Sequence, residues 1–179
     1  LNKKVLDCGA GGSQPPLSLF YQHGYQTCGI EIAEQALNEA QSFCENNKMP
    51  LSIIQGDMRF IPFLDSEFSF IYSFNAIDFM SKVDIALVMR EITRVLKQDG
   101  LCYVNFLSVD DEETWELFCT TNPTVALLNN ESFTHFEDNE ADIFFDAYQI
   151  VRKEKRIQDK LWQGKLRRRA EIEYIARKK

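Results

Sequence analysis

Three carboxylates stand where apolar runs give way to turns. Asp7 follows Lys4-Val5-Leu6, Glu31 follows Cys28-Gly29-Ile30, and Asp57 follows Leu51 to Gln55 and Gly56. Asp7 also opens a glycine-rich turn, Gly9-Ala10-Gly11-Gly12. Glycines in such a turn carry no side chain, so a ligand can lie against the backbone itself. At the end of a second strand, Glu31 can accept from both hydroxyls of a ribose. At the end of a third, Asp57 can accept from an exocyclic amine such as that of adenine. Met58, next to it, offers a backbone N–H and an apolar side chain that suit an adenine ring. Asp7 can order the turn or accept from a ligand ammonium. Each feature also has a plainer reading: a tight turn for the glycines, and for Glu31 a cap on a helix beginning near Ala33. Their conjunction, in this order and spacing, describes a nucleoside-binding crevice.

The elements that must position these residues are legible. Residues 3–8 form an apolar strand. Pro15-Pro16 opens a helix through about His23, because proline in a first turn loses no needed donor. Tyr25 to Ile30 is a second strand. A helix over Ala33 to Asn47 places Ala36, Leu37, Ala40, Phe43 and Cys44 on one face, and Pro50 marks its end. Leu51 to Gln55 and Phe68 to Phe74 are further strands. Val83 to Lys97 is the clearest helix, with a stripe of Ile85, Val88, Met89, Ile92, Val95 and Leu96. Asp99-Gly100 ends it, with the glycine expected in a left-handed conformation, and Leu101 to Leu107 is the fifth strand. Alternating strands and helices imply parallel strands with right-handed crossovers, hence an α/β doubly wound sheet. The last third differs. Asp110 to Glu116 is acidic and expected to be mobile, and Asn139 to Tyr148 is expected to be helical. Tyr148 to Gln158 and Arg167 to Arg177 are expected to form an antiparallel hairpin around Trp162-Gln163-Gly164-Lys165.

Composition narrows the function classes. The 179 residues and 45% apolar content fit one globular domain spanning 1–179. No apolar run approaches the ~18 residues of a membrane span, and no signal peptide is visible. The five cysteines form no CxxC or Cys/His cluster, so reduced thiols in a cytoplasmic protein are expected, with neither zinc nor disulfides. Charge is segregated: residues 1–151 carry a net −15 and residues 152–179 a net +8. An acidic body argues against a nucleic-acid groove. The basic tail, with Arg167-Arg168-Arg169, reads as the solvated face of an edge hairpin, where cations discourage sheet-to-sheet aggregation.

These motifs resemble those of class I S-adenosylmethionine-dependent methyltransferases, especially the ubiquinone/menaquinone-type subgroup. Val5 to Gly11 resembles the family's first motif. Gly29 to Leu37 is similar to the second-strand motif, with Glu31 as the ribose-binding acid. Gln55-Gly56-Asp57-Met58 with Ile61-Pro62-Phe63 resembles the adenine-side motif. Phe68 to Ser73 with Asn75 resembles the fourth-strand motif, and Glu91 to Leu96 with Lys97, Gly100 and Leu101 the entry to strand five. The resemblance covers residues 3 to about 107. It implies a Rossmann-like, mostly parallel seven-stranded sheet of order 3-2-1-4-5-7-6 closed by the antiparallel hairpin. It also implies S-adenosyl-L-methionine as cofactor, held by Asp7, Gly9, Gly11, Gly12, Glu31, Ile32, Asp57, Met58 and Asn75. Ser13 stands where the family has its last glycine, and the N-terminal helical leader common in the family is expected to be missing.

The nearest competing reading, a nicotinamide or flavin dehydrogenase, needs a third glycine where this chain has Gln14, followed by two prolines. It also leaves Asp7 and Asp57 unexplained, and an acidic crevice suits a sulfonium better than a pyrophosphate. The expected reaction is in-line displacement of the sulfonium methyl onto a small-molecule acceptor, in a monomer or homodimer. No catalytic residue is assigned, since alignment and exclusion of water are the protein's main contributions. Asn75 and Phe74 are expected near the methionine end. Asp78, Tyr72 and His135 are candidate acceptor contacts, each with a structural alternative; Phe133, Phe136, Phe144 and Phe145 line either an apolar pocket or the core. A cofactor-binding regulator without catalysis, and an RNA methyltransferase served by the basic tail, are the alternative functions.

Overall fold

The computed structural model describes residues 3–112, 133–162 and 164–179. Five strands alternate with three helices: β1 (Lys4–Cys8), α1 (Leu17–Gln22), β2 (Gln26–Glu31), α2 (Glu34–Asn47), β3 (Ile53–Gln55), β4 (Phe68–Ser73), α3 (Lys82–Val95) and β5 (Leu96–Ser108). A two-residue strand β6 (His135–Phe136) and a long hairpin, β7 (Tyr148–Trp162) and β8 (Lys165–Lys178), follow. Short 3-10 turns span Met58–Phe60, Ile77–Phe79 and Glu140–Phe145. The sheet runs β3-β2-β1-β4-β5-β8-β7, with β6 added beside β5. Pairings among β1 to β5 are parallel, and β8 lies antiparallel to both β5 and β7. This is the expected Rossmann-like order with one strand more than the seven anticipated, because β6 takes the number before the hairpin.

Strand alternation divides the core in two. Leu6 and Cys8 face the layer that holds Ile85, Val88, Met89, Ile92 and Val95 of α3. Val5 faces the other layer with Leu17, Leu51 and Tyr72, against which Phe20 of α1 and Phe43 of α2 pack. Asp7, two residues after Val5, therefore points under α1 and is almost wholly buried.

Helix α3 starts on a side-chain N-cap, Ser81. The Ser81 hydroxyl accepts from the Asp84 N–H at 3.1 Å and donates to Asp84 Oδ2 at 2.8 Å. It ends at Val95, two residues before the expected Lys97. Leu96 already pairs with Phe68, and the β4–β5 register shifts before Leu101. The left-handed residue there is Asp99 (φ 61°), not Gly100. Gly100 is required by close approach instead: a Cβ would lie 2.7 Å from Leu96 Cδ1 and 2.8 Å from the Lys97 carbonyl oxygen.

Two other expectations change. The segment expected to be helical from Asn139 to Tyr148 is 3-10 over Glu140–Phe145. Asp110 and Asp111, in the stretch expected to be mobile, are anchored: Asp110 pairs with Lys155 at 2.5 Å, and Asp111 Oδ2 accepts from the Ala170 N–H at 2.9 Å. The remainder of that stretch, 113–116, and Cys119 lie outside the described residues. Cys8, Cys28, Cys44 and Cys102 are free thiols. Among the described residues no helix is long and apolar enough to cross a membrane.

Candidate functional site

Strand order reverses at β1, which lies between β2 and β4, and ligands in such sheets bind beyond the carboxyl ends of the strands at that point. A cavity of about 930 Å³ opens there. Its lining includes Gly9, Glu31, Ile32 and Met58 from the ends of β1 to β3, Asn75 and Ala76 after β4, and Phe79, Met80, Ser81, Asp84 and Thr134.

The turn after β1 is shaped by close approaches. Gly9 has φ 101°, and a Cβ on it would sit 2.4 Å from the Ala76 Cβ. Gly11 has no room for one either, since it would lie 2.7 Å from Glu31 Oε2. Gly12 has φ 96° with open space around it, so its requirement is conformational.

Glu31 is held by two backbone donors. Its Oε2 accepts from the Gly11 N–H at 3.0 Å, and its Oε1 accepts from the Ala33 N–H at 2.9 Å, at the start of α2. The carboxylate is thereby fixed in the cavity wall, and each oxygen keeps a lone pair for a further donor.

Asp57 ends the β3 segment and caps the following turn through the Arg59 N–H at 2.8 Å. The Arg59 side chain also binds it, and that pairing holds the Asp57 carboxyl below the usual carboxylate range. Asp57 itself is off the cavity wall; its neighbours Gly56, Met58 and Arg59 are on it.

Asn75 adopts a left-handed conformation (φ 53°) secured by a side chain that the sequence reading missed. Asn105, fully buried in β5, accepts from the Asn75 N–H at 2.9 Å and donates to Asn75 Oδ1 at 2.7 Å and to Glu171 Oε2 at 2.9 Å. Arg169 also donates to Asn75 Oδ1 at 2.8 Å. The available signal was a single amide inside the apolar run Tyr103 to Leu107.

Several sequence candidates fall elsewhere. The Asp7 carboxyl is off the cavity wall; its Oδ2 and the Tyr72 hydroxyl are both buried without a hydrogen-bond partner. Burial pushes Asp7 up to about 7; the neighbouring Tyr72 hydroxyl opposes this and the Glu31 carboxylate adds to it. Tyr72, expected as a possible acceptor contact, stacks on Phe20 and Phe70 inside the α1 layer. Asp78 is buried too, and its Oδ1 accepts from the Leu107 N–H at 2.9 Å. Burial lifts it to about 7 against that hydrogen bond and Arg169. His135 sits in β6 with its Nδ1 2.9 Å from the Phe133 carbonyl oxygen. Phe133, Phe136 and Phe145 are core residues, and Phe144 packs against them. Phe74 is exposed beside Tyr103.

A family model for a methyltransferase domain matches residues 6–104, over half of the chain and every strand end just described. The chain belongs to the class I methyltransferase family. The Bacillus subtilis methyltransferase YcgJ is 32% identical over 108 residues, covering 60% of this chain and 40% of its own. A sterol 24-C-methyltransferase of Gibberella zeae is 31% identical over 100 residues, covering 55% of this chain and 26% of its own. The chain thus spans less than half the length of these curated relatives in the matched regions. In three dimensions the crystal structure of YcgJ superposes with a TM-score of 0.69 at 20% identity, covering 99% of this chain and 92% of that one. The shared fold therefore extends past the matched segment into the closing hairpin.

Proposed function

We propose that this chain binds S-adenosyl-L-methionine in the crevice beyond β1, β2 and β4 and transfers its methyl group to a small-molecule acceptor. The observation that carries the reading is Glu31: a carboxylate in the cavity wall, clamped by two backbone N–H groups, with acceptor capacity left toward the cavity. That is the acceptor a ribose diol, donating through both hydroxyls, needs. Met58 offers its backbone and side chain to an adenine, with Asp57 next to it at the β3 end. The bare backbone of Gly9 and the amide of Asn75 lie where the amino-acid end extends. Gly11 and Gly12 shape the turn, Ile32 covers the ribose side, and Asp7 supports the turn from beneath.

The bound sulfonium supplies an activated methyl whose departure leaves a neutral thioether. The chain's part is alignment: its walls hold the ribose and adenine ends, and the apolar surfaces of Met58, Phe79 and Met80 exclude water. A general base is needed only for acceptors of high pKa, so this reaction requires no dedicated triad. The free cysteines suit a reducing compartment, and cytoplasmic residence, as a monomer or homodimer, is part of the same proposal. The test is titration calorimetry with S-adenosylhomocysteine, followed by methyl-transfer assays over a panel of small acceptors. Binding with transfer supports the proposal, binding without transfer to any acceptor supports a regulator, and no binding refutes it.

A further inference from the structure

The side-chain amide of Asn75 has one orientation, and a residue of the closing hairpin sets it. Arg169 of β8 donates from Nη2 to Asn75 Oδ1 at 2.8 Å. A guanidinium only donates, so the atom facing it is the amide oxygen and not the nitrogen. Asn105 enforces the same choice from β5. Its Oδ1 accepts from the Asn75 backbone N–H at 2.9 Å, which turns its Nδ2 toward Asn75 Oδ1 at 2.7 Å and Glu171 Oε2 at 2.9 Å. Glu171 Oε2 in turn lies 3.5 Å from Arg169 Nη2.

Both lone pairs of Asn75 Oδ1 are therefore taken, by Arg169 and Asn105, and both Nδ2 hydrogens of Asn105 are spent. Asn75 Nδ2 has no hydrogen-bond partner among the described residues, while Asn75 is exposed and lines the cavity. Its left-handed backbone (φ 53°) is held by the same Asn105 amide. The side chain thus offers a ligand two N–H donors and no acceptor. A carboxylate answers two such donors; an ammonium, which only donates, finds no acceptor on this amide.

Resting on the cofactor reading above, we propose that Arg169 is a positioning residue for the cofactor's amino-acid end, and that the group it prepares Asn75 to bind is the carboxylate, not the ammonium. Arg169 itself is off the cavity wall, so its effect on the ligand passes through Asn75. Without the donors from Arg169 and Asn105 the amide is free to turn over and show its oxygen, which repels a carboxylate. The cofactor site then reaches β8, beyond the family segment at residues 6–104.

The test is calorimetric binding of three ligands to the full chain and its variants: S-adenosylhomocysteine, its decarboxylated analogue, which keeps the ammonium alone, and its deaminated analogue, which keeps the carboxylate alone. Asn75→Gly retains the left-handed backbone without strain. It is expected to weaken S-adenosylhomocysteine and the deaminated analogue about tenfold, the scale of hydrogen bonds to a charged acceptor, and to leave the decarboxylated analogue within about twofold. Asn75→Asp, which sets an oxygen where the NH2 stands, should weaken the same two ligands further and tighten the decarboxylated one. Arg169→Ala is expected to show the same carboxylate-selective loss at about threefold, since Asn105 still holds the amide. Arg169→Lys, which keeps a donor at that oxygen, should restore most of it. If Arg169 acts through Asn75, Arg169→Ala adds nothing on an Asn75→Gly background. Unchanged S-adenosylhomocysteine binding in Asn75→Gly, equal losses for all three ligands, a loss confined to the decarboxylated analogue, or additivity of the two substitutions overturns the proposal. Should the native chain bind none of the three, the cofactor reading itself fails, and the role of Arg169 with it.

Discussion

Replacing Glu31 by alanine removes two hydrogen bonds at once, from the Gly11 N–H at 3.0 Å and the Ala33 N–H at 2.9 Å. The Gly11 N–H is part-buried and the Ala33 N–H exposed, so water takes them up in the variant. The stability loss is therefore at the low end for charged hydrogen bonds, about 1 kcal/mol, or a fall in Tm of roughly 2–4 °C for a chain of this size. Ligand binding is affected more strongly. The two ribose hydroxyls lose a fixed, desolvated acceptor, a loss of about 1–3 kcal/mol, equivalent to roughly five- to 150-fold in Kd for S-adenosylhomocysteine. Glu31→Gln is expected to be nearly as weak, because its NH2 meets a backbone N–H where an acceptor is needed. Calorimetry gives the affinities, and thermal unfolding without ligand gives the stability. Equal affinity in native and Glu31→Ala chains would refute the ribose assignment; equal proportional losses in Tm and affinity would make Glu31 only a helix cap.

Other outcomes follow from the same geometry. The Asp7 carboxyl is raised to about 7 by burial, so between about pH 4 and 7 the folded chain holds a proton the unfolded chain has lost. Stability then falls as pH rises through that window and levels above it. Asp7→Asn should gain stability relative to the native chain on going from pH 4 to pH 8; a difference independent of pH in thermal melts would contradict this. Gly9→Ala combines φ 101° with a 2.4 Å approach to the Ala76 Cβ. It should cost more than about 2 kcal/mol and abolish ligand binding, whereas a melt within a degree of native would show the turn to be pliant. Asn105→Ala leaves the Asn75 N–H and Glu171 without a buried partner; it should destabilise by about 2–3 kcal/mol in denaturant unfolding. A loss under 1 kcal/mol would mean that Asn75 is held by other contacts.

The fold was legible because its signals are local. β1 to β5 are short apolar runs bounded by turns, and α3 repeats apolar residues at the spacing of a buried helix face. What escaped depends on pairing between distant segments. The β4–β5 shift that ends α3 at Val95 is set by Phe68 pairing with Leu96, so the helix stripe was read two residues too far. β6 is two residues long, and its existence rests on register with Leu107 and Ser108. At the site, Glu31 was readable from its position after a strand, whereas Asn105 and Arg59 were not. Their partners are Asn75, thirty residues away in sequence, and Asp84, twenty-five away. Asp7 and Tyr72 show the converse: residue type proposed ligand contacts, but strand alternation turned both side chains beneath α1.

The most direct test of the whole account is a crystal structure of this chain grown with S-adenosylhomocysteine. The account predicts its ribose hydroxyls on Glu31, its adenine against Met58 beside Asp57, and its amino-acid end along Gly9 toward Asn75. A ligand bound elsewhere, or a ribose that leaves the Glu31 oxygens untouched, would contradict it.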